Sequence, residues 1–545
     1  MEKRIYKLAK ILVLTLIILL GVTLRSFNLN FPSIGYHNMN ENEYLTTAHE
    51  MQKAGDYSLN RLYCYNIFEE PIERFHPQPP LISYQVILAW NLLDKNLWGP
   101  RLFNILFGAL SILIIYFIAA ILFKNPLPSF FSSFLLAIMP LAVFFSRQLQ
   151  PESPAFFFMI LSNLFYVRFI SSMKKYNIFI SGLALSAACF YRFNFFITVI
   201  PYLVCFPFKA LLSNRKELLK TLLVFCLSAS VLIIGIIWLK SMNRWYFTQM
   251  SGIKPFDIFT ARYWTEHGRT IWWYAKQENF TIVYTILALL GICIAFFKRK
   301  NLLDKYIIGW GLAIIIYGMI YSKYLFQNNY SQMPFLILVS VSSVYTISSI
   351  SSVVRKFFRR DLFLVFMLIA IIISAPLLYN SILRMHGTAF LGVDVAGKSL
   401  REFTRPGEYI FLSTHSQGYG IVRYSRRMAG WVKDLEGFKN KEKEFNIKYT
   451  CFYPIENLFQ LKFTNLPLFE YIQNNYHIKE IGMTEEPLKL HYVILEKGKG
   501  QDIEASLGSL SGIKRIGAIY KSLERDRYIF FYSLTPVMEK PQDTE

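Results

Sequence analysis

Two carboxylates, Glu41 and Glu43, stand in the stretch Asn40-Glu41-Asn42-Glu43-Tyr44, just after the first long apolar segment of the chain. They fall at the start of a predicted short amphipathic helix that ends near Gly55. The chemistry open to a carboxylate there is proton transfer. A solvated helix start is the plainer use, because Glu in a first turn complements the helix dipole. Arg192, within Tyr191-Arg192-Phe193, lies between two apolar runs. A cation at membrane depth is costly and therefore a functional candidate, with snorkelling to the headgroups as the competing use.

The elements that must position these residues are membrane helices. The chain has 545 residues, 54% apolar and 17% aromatic, and its apolar residues come in runs long enough for a bilayer, which needs about 20 residues of helix. A net charge of +22 would suggest nucleic acid in a soluble chain; here it reads as the basic bias of cytoplasmic loops, and no nucleic-acid partner is expected. The six cysteines show no metal-ligand spacing. Cys64 and Cys451 alone fall in regions expected outside the membrane, where a disulfide between them would be chemically permitted.

Basic residues Lys3, Arg4, Lys7 and Lys10 precede an apolar run at 11–24 with no small-x-small cleavage pattern after it, which predicts a retained anchor with a cytoplasmic N-terminus. Further runs near 102–123, 128–145, 154–170, 177–190, 194–208, 219–239, 280–297, 306–321, 333–350 and 361–379 make about eleven spans. Alternating crossings put the clusters at Lys174/Lys175, Lys209/Arg215/Lys216, Lys298/Arg299/Lys300 and Arg355/Lys356/Arg359/Arg360 inside. The loop 240–279 is basic as well, yet expected outside; Trp245, Trp264, Trp272 and Trp273 mark it as an interfacial segment or a gate for an anionic lipid. The expected division is a membrane module over 1–379, with a first extracytoplasmic loop at about 26–100, and an extracytoplasmic α/β domain over 380–545. Short strands are predicted at 409–412, 449–452, 491–495 and 528–532, with helices near 397–403 and 465–476.

Several motifs in chain order resemble the membrane-embedded C-type (GT-C) glycosyltransferases, in particular the protein O-mannosyltransferases and lipid A aminoarabinose transferases. That family opens its first outer loop with Asp-Glu-x-x-Tyr, then small residues, Met and Gly-Asp-aromatic; Glu41, Tyr44, Ala48, Met51, Gly55, Asp56 and Tyr57 fall in register. His76-Pro77-Gln78-Pro79-Pro80-Leu81 resembles the next element of the loop, Arg101 matches a recurrent Arg, and Ser146-Arg147 with Pro151-Glu152 resembles a second short loop carrying another acid. Arg192 stands where relatives hold the carrier phosphate, and Tyr330-Ser331-Gln332-Met333-Pro334 is similar to a late Tyr-containing element. The likeness is good over 1–210, weak over 210–350 and architectural beyond.

The resemblance implies a glycosyltransferase that moves a hexosyl or pentosyl group from a polyprenyl-phosphate donor to a protein, lipid or glycan acceptor at the outer membrane face. Its leaving group is already a phosphate, so the tasks left are to activate an acceptor oxygen and to neutralise charge on the departing phosphate. Glu41, Glu152 and Asn40 would be the catalytic set, and Arg192, Tyr44, His76, Arg101, Arg147 and Tyr330 would bind substrate. A divalent Mg or Mn ion held by Glu41 and Glu152 is the one cofactor the pattern admits. Asn40 departs from the family, which usually has Asp there, and an amide cannot take a proton. Either Glu41 or Glu43 has inherited the role, or the acceptor is already ionised, or transfer has been lost. A non-catalytic scaffold of the same fold and a lipid or sugar transporter are the rival classes, although the inverted repeats of transporters are not seen.

Overall fold

Long apolar runs become helices in the computed structural model, which describes residues 2–59, 66–68, 79–208, 215–241, 256–508, 512–522 and 527–536. The chain forms two compact units, Met1–Leu29 with Pro77–Met385, and Asn30–His76 with His386–Glu545.

The first unit is helical: α1 (Glu2–Ser26), α3 (Leu81–Leu93), α4 (Trp98–Phe123), α5 (Pro126–Ile138), α6 (Pro140–Phe145), α7 (Glu152–Ser172), α8 (Lys175–Tyr191) and α9 (Val199–Cys205), followed by long helices at Arg215–Ser241, Thr281–Lys298, Leu302–Ile320, Leu336–Phe358 and Phe363–Gly387; α2 (Asn38–Ala54) belongs to the second unit. Among the described residues, eight helices are long and apolar enough to cross a membrane. The chain is thus a polytopic membrane protein. The other three of the eleven expected spans are shorter helices. Pro140 lacks an N–H and forces Met139 into an extended conformation, which separates α5 from α6. Arg192, also extended, separates the 17-residue α8 from a 3-10 turn and α9.

Small and polar residues hold these helices together, as expected where apolar side chains gain nothing by leaving lipid. A Cβ on Gly182 or Gly291 would run into Ser228 or Ser342, so both glycines allow close helix approach. Asn163 Nδ2 donates to Thr198 Oγ1 at 2.8 Å and its Oδ1 accepts from Tyr306 Oη at 2.8 Å. In the interfacial loop, 256–279 is described and is largely helical from Ala261 to Asn279 with two π turns; Trp264 is exposed. Trp245 lies outside the described residues.

The second unit is built on a seven-stranded sheet in the order β2-β1-β3-β5-β4-β7-β6. The strands are β1 (Ile410–Thr414), β2 (Ala429–Gly430), β3 (Tyr449–Tyr453), β4 (Tyr476–Glu485), β5 (Leu488–Lys497), β6 (Gly512–Ser522) and β7 (Arg527–Pro536). β1 runs parallel to β2 and β3, and the other pairs are antiparallel. Alternate residues feed two cores, as the period of a strand requires. Phe411, Phe452, Val493 and Leu495 pack with the helices Leu435–Glu444, Glu456–Thr464 and Leu466–Asn475. Ile410, Leu412, Cys451 and Ile494 pack with Val393–Phe403 and Gly418–Ser425. Cys451 is buried with a free thiol, and Cys64 lies outside the described residues.

Residues 30–76 join this unit rather than the membrane helices with which the sequence grouped them. Gly35 bridges Ala389, Asn38 Nδ2 donates to Gln417 Oε1 at 2.8 Å, and the Ile67 N–H donates to the Ala429 carbonyl at 3.2 Å beside β2. The membrane unit also runs further than residue 379, because the last helix continues to Gly387 and the division falls after Met385. Such pairings connect residues more than 350 positions apart, and hydropathy carries no trace of them.

Candidate active site

Glu152 begins α7 at the end of a segment, 146–151, that is buried throughout. A buried loop must find partners for its backbone groups. Asn104 of α4 supplies them, donating from Nδ2 to the carbonyls of Gln148 and Gln150, while Gln85 Nε2 donates to Asn104 Oδ1 at 2.7 Å. The carboxylate is therefore carried on a braced turn. Glu152 is 1% exposed. Its Oε1 accepts from Arg192 Nε at 2.8 Å, and its Oε2 is buried without a hydrogen-bond partner among the described residues.

The break between α8 and α9 presents Arg192 to this carboxylate. Arg192 Nη2 donates to Tyr324 Oη, and its guanidinium carbon lies 5.6 Å from the Tyr324 ring centre and 5.7 Å from that of Tyr330. Two aromatic faces and one carboxylate thus fix the plane of the cation. Tyr330 sits on the 3-10 turn Asn329–Phe335. Glu278 and Asn279 clamp that turn: Asn329 Nδ2 donates to Glu278 Oε2 at 2.9 Å, and Asn279 Nδ2 donates to Gln332 Oε1 at 2.9 Å. Glu152, Arg192 and Tyr330 are brought together from positions 152, 192 and 330. Tyr324 was missed, although the run Tyr317, Tyr321, Tyr324 and Tyr330 was visible beside the motif that was read.

The same turn borders an apolar groove of about 270 Å³. Gln332 and Phe335 line it together with Trp264, Ile271, Leu289 and Ile315.

Arg101 and Arg147 occupy a different place in this unit. Both are buried and both donate to backbone carbonyls of the turn that follows α1. Arg101 Nη1 donates to the Leu29 carbonyl at 2.6 Å, and Arg147 Nη1 donates to those of Phe27 and Asn28 at 3.2 and 2.8 Å. Arg25 works one turn earlier, donating to the carbonyls of Gly21 and Ala137.

Glu41, Asn40 and Tyr44 lie on α2 in the second unit, and Gly55 ends that helix at φ 66°. Glu41 is 2% exposed and accepts from Ser33 Oγ at 2.7 Å. Glu43 is buried too, so neither carboxylate is a solvated helix start. Asn42 on the same helix links Ser33 and Arg423, at 2.8 and 3.0 Å. Asn40 is half-buried. His76 lies outside the described residues. A resident metal finds little support in the donors: Glu152 is already engaged by a cation, and among the described residues no three His, Cys, Asp or Glu side chains gather.

With this geometry in view, the family model of dolichyl-phosphate-mannose-protein mannosyltransferases matches residues 77–239. The archaeal oligosaccharyltransferase AglB from Archaeoglobus fulgidus, solved with an inhibitory peptide and a dolichol-phosphate, superposes with a TM-score of 0.59 at 14% identity, covering 95% of this chain and 80% of that one. ArnT from Cupriavidus metallidurans superposes in its apo state with a TM-score of 0.54 at 13% identity, covering 91% of this chain and 98% of that one, and has also been solved bound to undecaprenyl phosphate. An uncharacterized protein of Aquifex aeolicus (strain VF5) is 28% identical over 209 residues, 37% of this chain and 40% of the relative's length. In fold, the chain is similar to AglB and ArnT.

Proposed function

We propose that this chain is a glycosyltransferase taking a hexosyl or pentosyl group from a polyprenyl-phosphate donor at the extracytoplasmic membrane face. The observation that carries the reading is the pairing of buried Glu152 with half-buried Arg192, flanked by Tyr324 and Tyr330, at the break between α8 and α9. A cation so fixed suits a phosphate, whose charge grows as the sugar departs. The prenyl tail takes the apolar groove bordered by Gln332 and Phe335. The dolichol-phosphate bound to AglB and the undecaprenyl phosphate bound to ArnT support this class of donor.

In the step, an acceptor oxygen attacks the anomeric carbon, the bond from that carbon to the phosphate oxygen breaks, and the phosphate leaves on its lipid. Glu41 takes the acceptor's proton, and Arg192 meets the leaving phosphate. Glu152 holds Arg192 in plane and, through Oε2, faces the reacting groups. Arg101 and Arg147 fix the turn that follows α1, from which the chain continues toward Glu41. Tyr44 and His76 shape the acceptor side. No step is routed through a metal. The N-terminus lies in the cytoplasm and the second unit outside, following the basic loops.

The test is turnover by the purified full-length protein, given polyprenyl-phosphate donors with radiolabelled hexose or pentose and a mixed glycan and lipid acceptor fraction. Transfer lost in Glu41→Gln with expression intact supports the reading. Wild-type protein that binds polyprenyl phosphate but turns over no donor would instead mark a scaffold.

A further inference from the structure

The second unit contains a cavity of about 650 Å³ that the transfer reaction does not use. Its position follows from the sheet topology. β1 and β3 are adjacent and parallel. The chain leaving β1 turns into the helix Gly418–Ser425, whose Ile421 and Val422 pack on one face of the sheet. The chain leaving β3 turns into Glu456–Thr464, whose Leu458 and Leu461 pack on the opposite face. Two neighbouring parallel strands whose connections part to opposite faces leave a crevice beyond their carboxyl ends, the usual ligand position in sheets of this kind. The cavity lies there, lined by Thr414, His415 and Ser416 after β1 and by Tyr453 and Glu456 after β3.

Its chemistry narrows the occupant. Lys489 and Arg527 are balanced by Glu456 and Glu486, so the charged lining sums to zero. Hydroxyls of Thr414, Ser416 and Thr484 and the ring of His491 add groups that both donate and accept. His491 Nε2 lies 3.2 Å from Thr484 Oγ1, and burial, with Lys489 nearby, lowers its pKa to about 4, keeping the imidazole neutral. Tyr453 and Phe390 supply aromatic surface. A phosphate would meet two carboxylates, and a purely apolar ligand would strand the polar groups. A polyhydroxylated neutral molecule satisfies all of them: its hydroxyls pair with groups of either sign, and its C–H faces lie on the rings.

From this we infer that the crevice beyond β1 and β3 binds a neutral saccharide. The inference stands on this unit alone and does not depend on the chain's being a transferase. The probes are chitobiose and maltose, with glucose 1-phosphate as the charged control. Saturation-transfer NMR and titration calorimetry would be run on the full-length protein in detergent. Either neutral disaccharide should bind, and Ser416→Trp, which fills the crevice, and Lys489→Ala, at an exposed position, should each weaken binding by about tenfold or more. Lys489→Ala removes no buried group, so it keeps the test decisive if the Trp variant misfolds. No binding of either disaccharide, binding unchanged in Lys489→Ala, or binding of glucose 1-phosphate alone would overturn the inference. A protein that transfers sugar yet binds neither disaccharide would refute the crevice and leave the transfer reading standing.

Discussion

Removing both members of the Glu152–Arg192 pair should cost less than the sum of removing each alone. The Glu152 side chain is 2% exposed and the Arg192 side chain 16% exposed, with 2.8 Å between Oε1 and Nε. Glu152→Ala takes the carboxylate from a half-buried cation, and Arg192→Ala strands a buried carboxylate that has no other side-chain partner among the described residues. Breaking a buried pair in this way costs about 3–5 kcal/mol. The residual exposure of Arg192 lets water reach the cation, so Glu152→Ala should fall toward the lower end and Arg192→Ala toward the upper. The double variant strands neither charge and should be less destabilised than the sum of the singles by about 2 kcal/mol or more. Denaturant unfolding of all four proteins in one detergent measures the cycle. Additive single effects, or singles within about 0.5 kcal/mol of wild type, would show that the pair is not a coupled unit. The role given to Glu152 in orienting Arg192 would then fail.

Arg192→Ala should weaken polyprenyl-phosphate binding strongly and Arg192→Lys should restore part of it, because the charge survives while the planar fork is lost; equal affinity in wild type and Ala would remove Arg192 from the phosphate site. Asn40→Asp should raise transfer if the site works as in the proteins it resembles, and turnover assays of that variant beside Glu41→Gln separate an attenuated site from a lost one. His491 is neutral in the fold with a pKa lowered to about 4, against an ordinary 6.5. The unfolded chain therefore binds the extra proton first, and stability present above pH 6.5 is lost as pH falls toward 4, by at most about 3 kcal/mol. Full-length melts between pH 7.5 and 4.5 check this, and His491→Gln should flatten that part of the curve. Gly108→Ala should cost about 1–3 kcal/mol by overpacking, since its Cβ would meet Ser146 Oγ at 2.6 Å and Arg25 Nε at 2.9 Å; unchanged unfolding would mean that α4 can move away from α1.

What could be read in the sequence is what depends on local pattern. Each of the eleven apolar runs became helix, because burial in lipid and backbone satisfaction both demand it. The shortfall in length comes at Pro140, which breaks a helix inside one apolar run, and at Arg192, where the backbone is extended between two runs. Strands rich in aromatic and β-branched residues, such as Tyr449–Tyr453, were visible. β6 was not, since much of it is exposed and its residues follow an edge rather than a core pattern. β2 is two residues long and exists only because β1 lies beside it.

The site divides along the same line. A Glu after a Pro and an Arg between apolar runs are unusual wherever they occur, so Glu152 and Arg192 could be singled out without knowing that they touch. Their contact could not be read, because it depends on where α8 ends and how α7 is entered. The arginines show the limit most clearly. Arg101, Arg147 and Arg192 look alike in sequence, each a cation beside apolar residues. Two of them donate to backbone carbonyls of the turn that follows α1, and one donates to a carboxylate between two tyrosine rings. Arg192 is held by a carboxylate and two tyrosine rings, groups that orient it for a phosphate. That difference predicts that Arg101→Lys and Arg147→Lys lower stability, because a compact, strongly hydrated ammonium costs more to bury than a guanidinium, while leaving the KM for donor unchanged in whatever protein folds. A raised donor KM in either variant, at wild-type stability, would return those arginines to the binding site and remove the distinction.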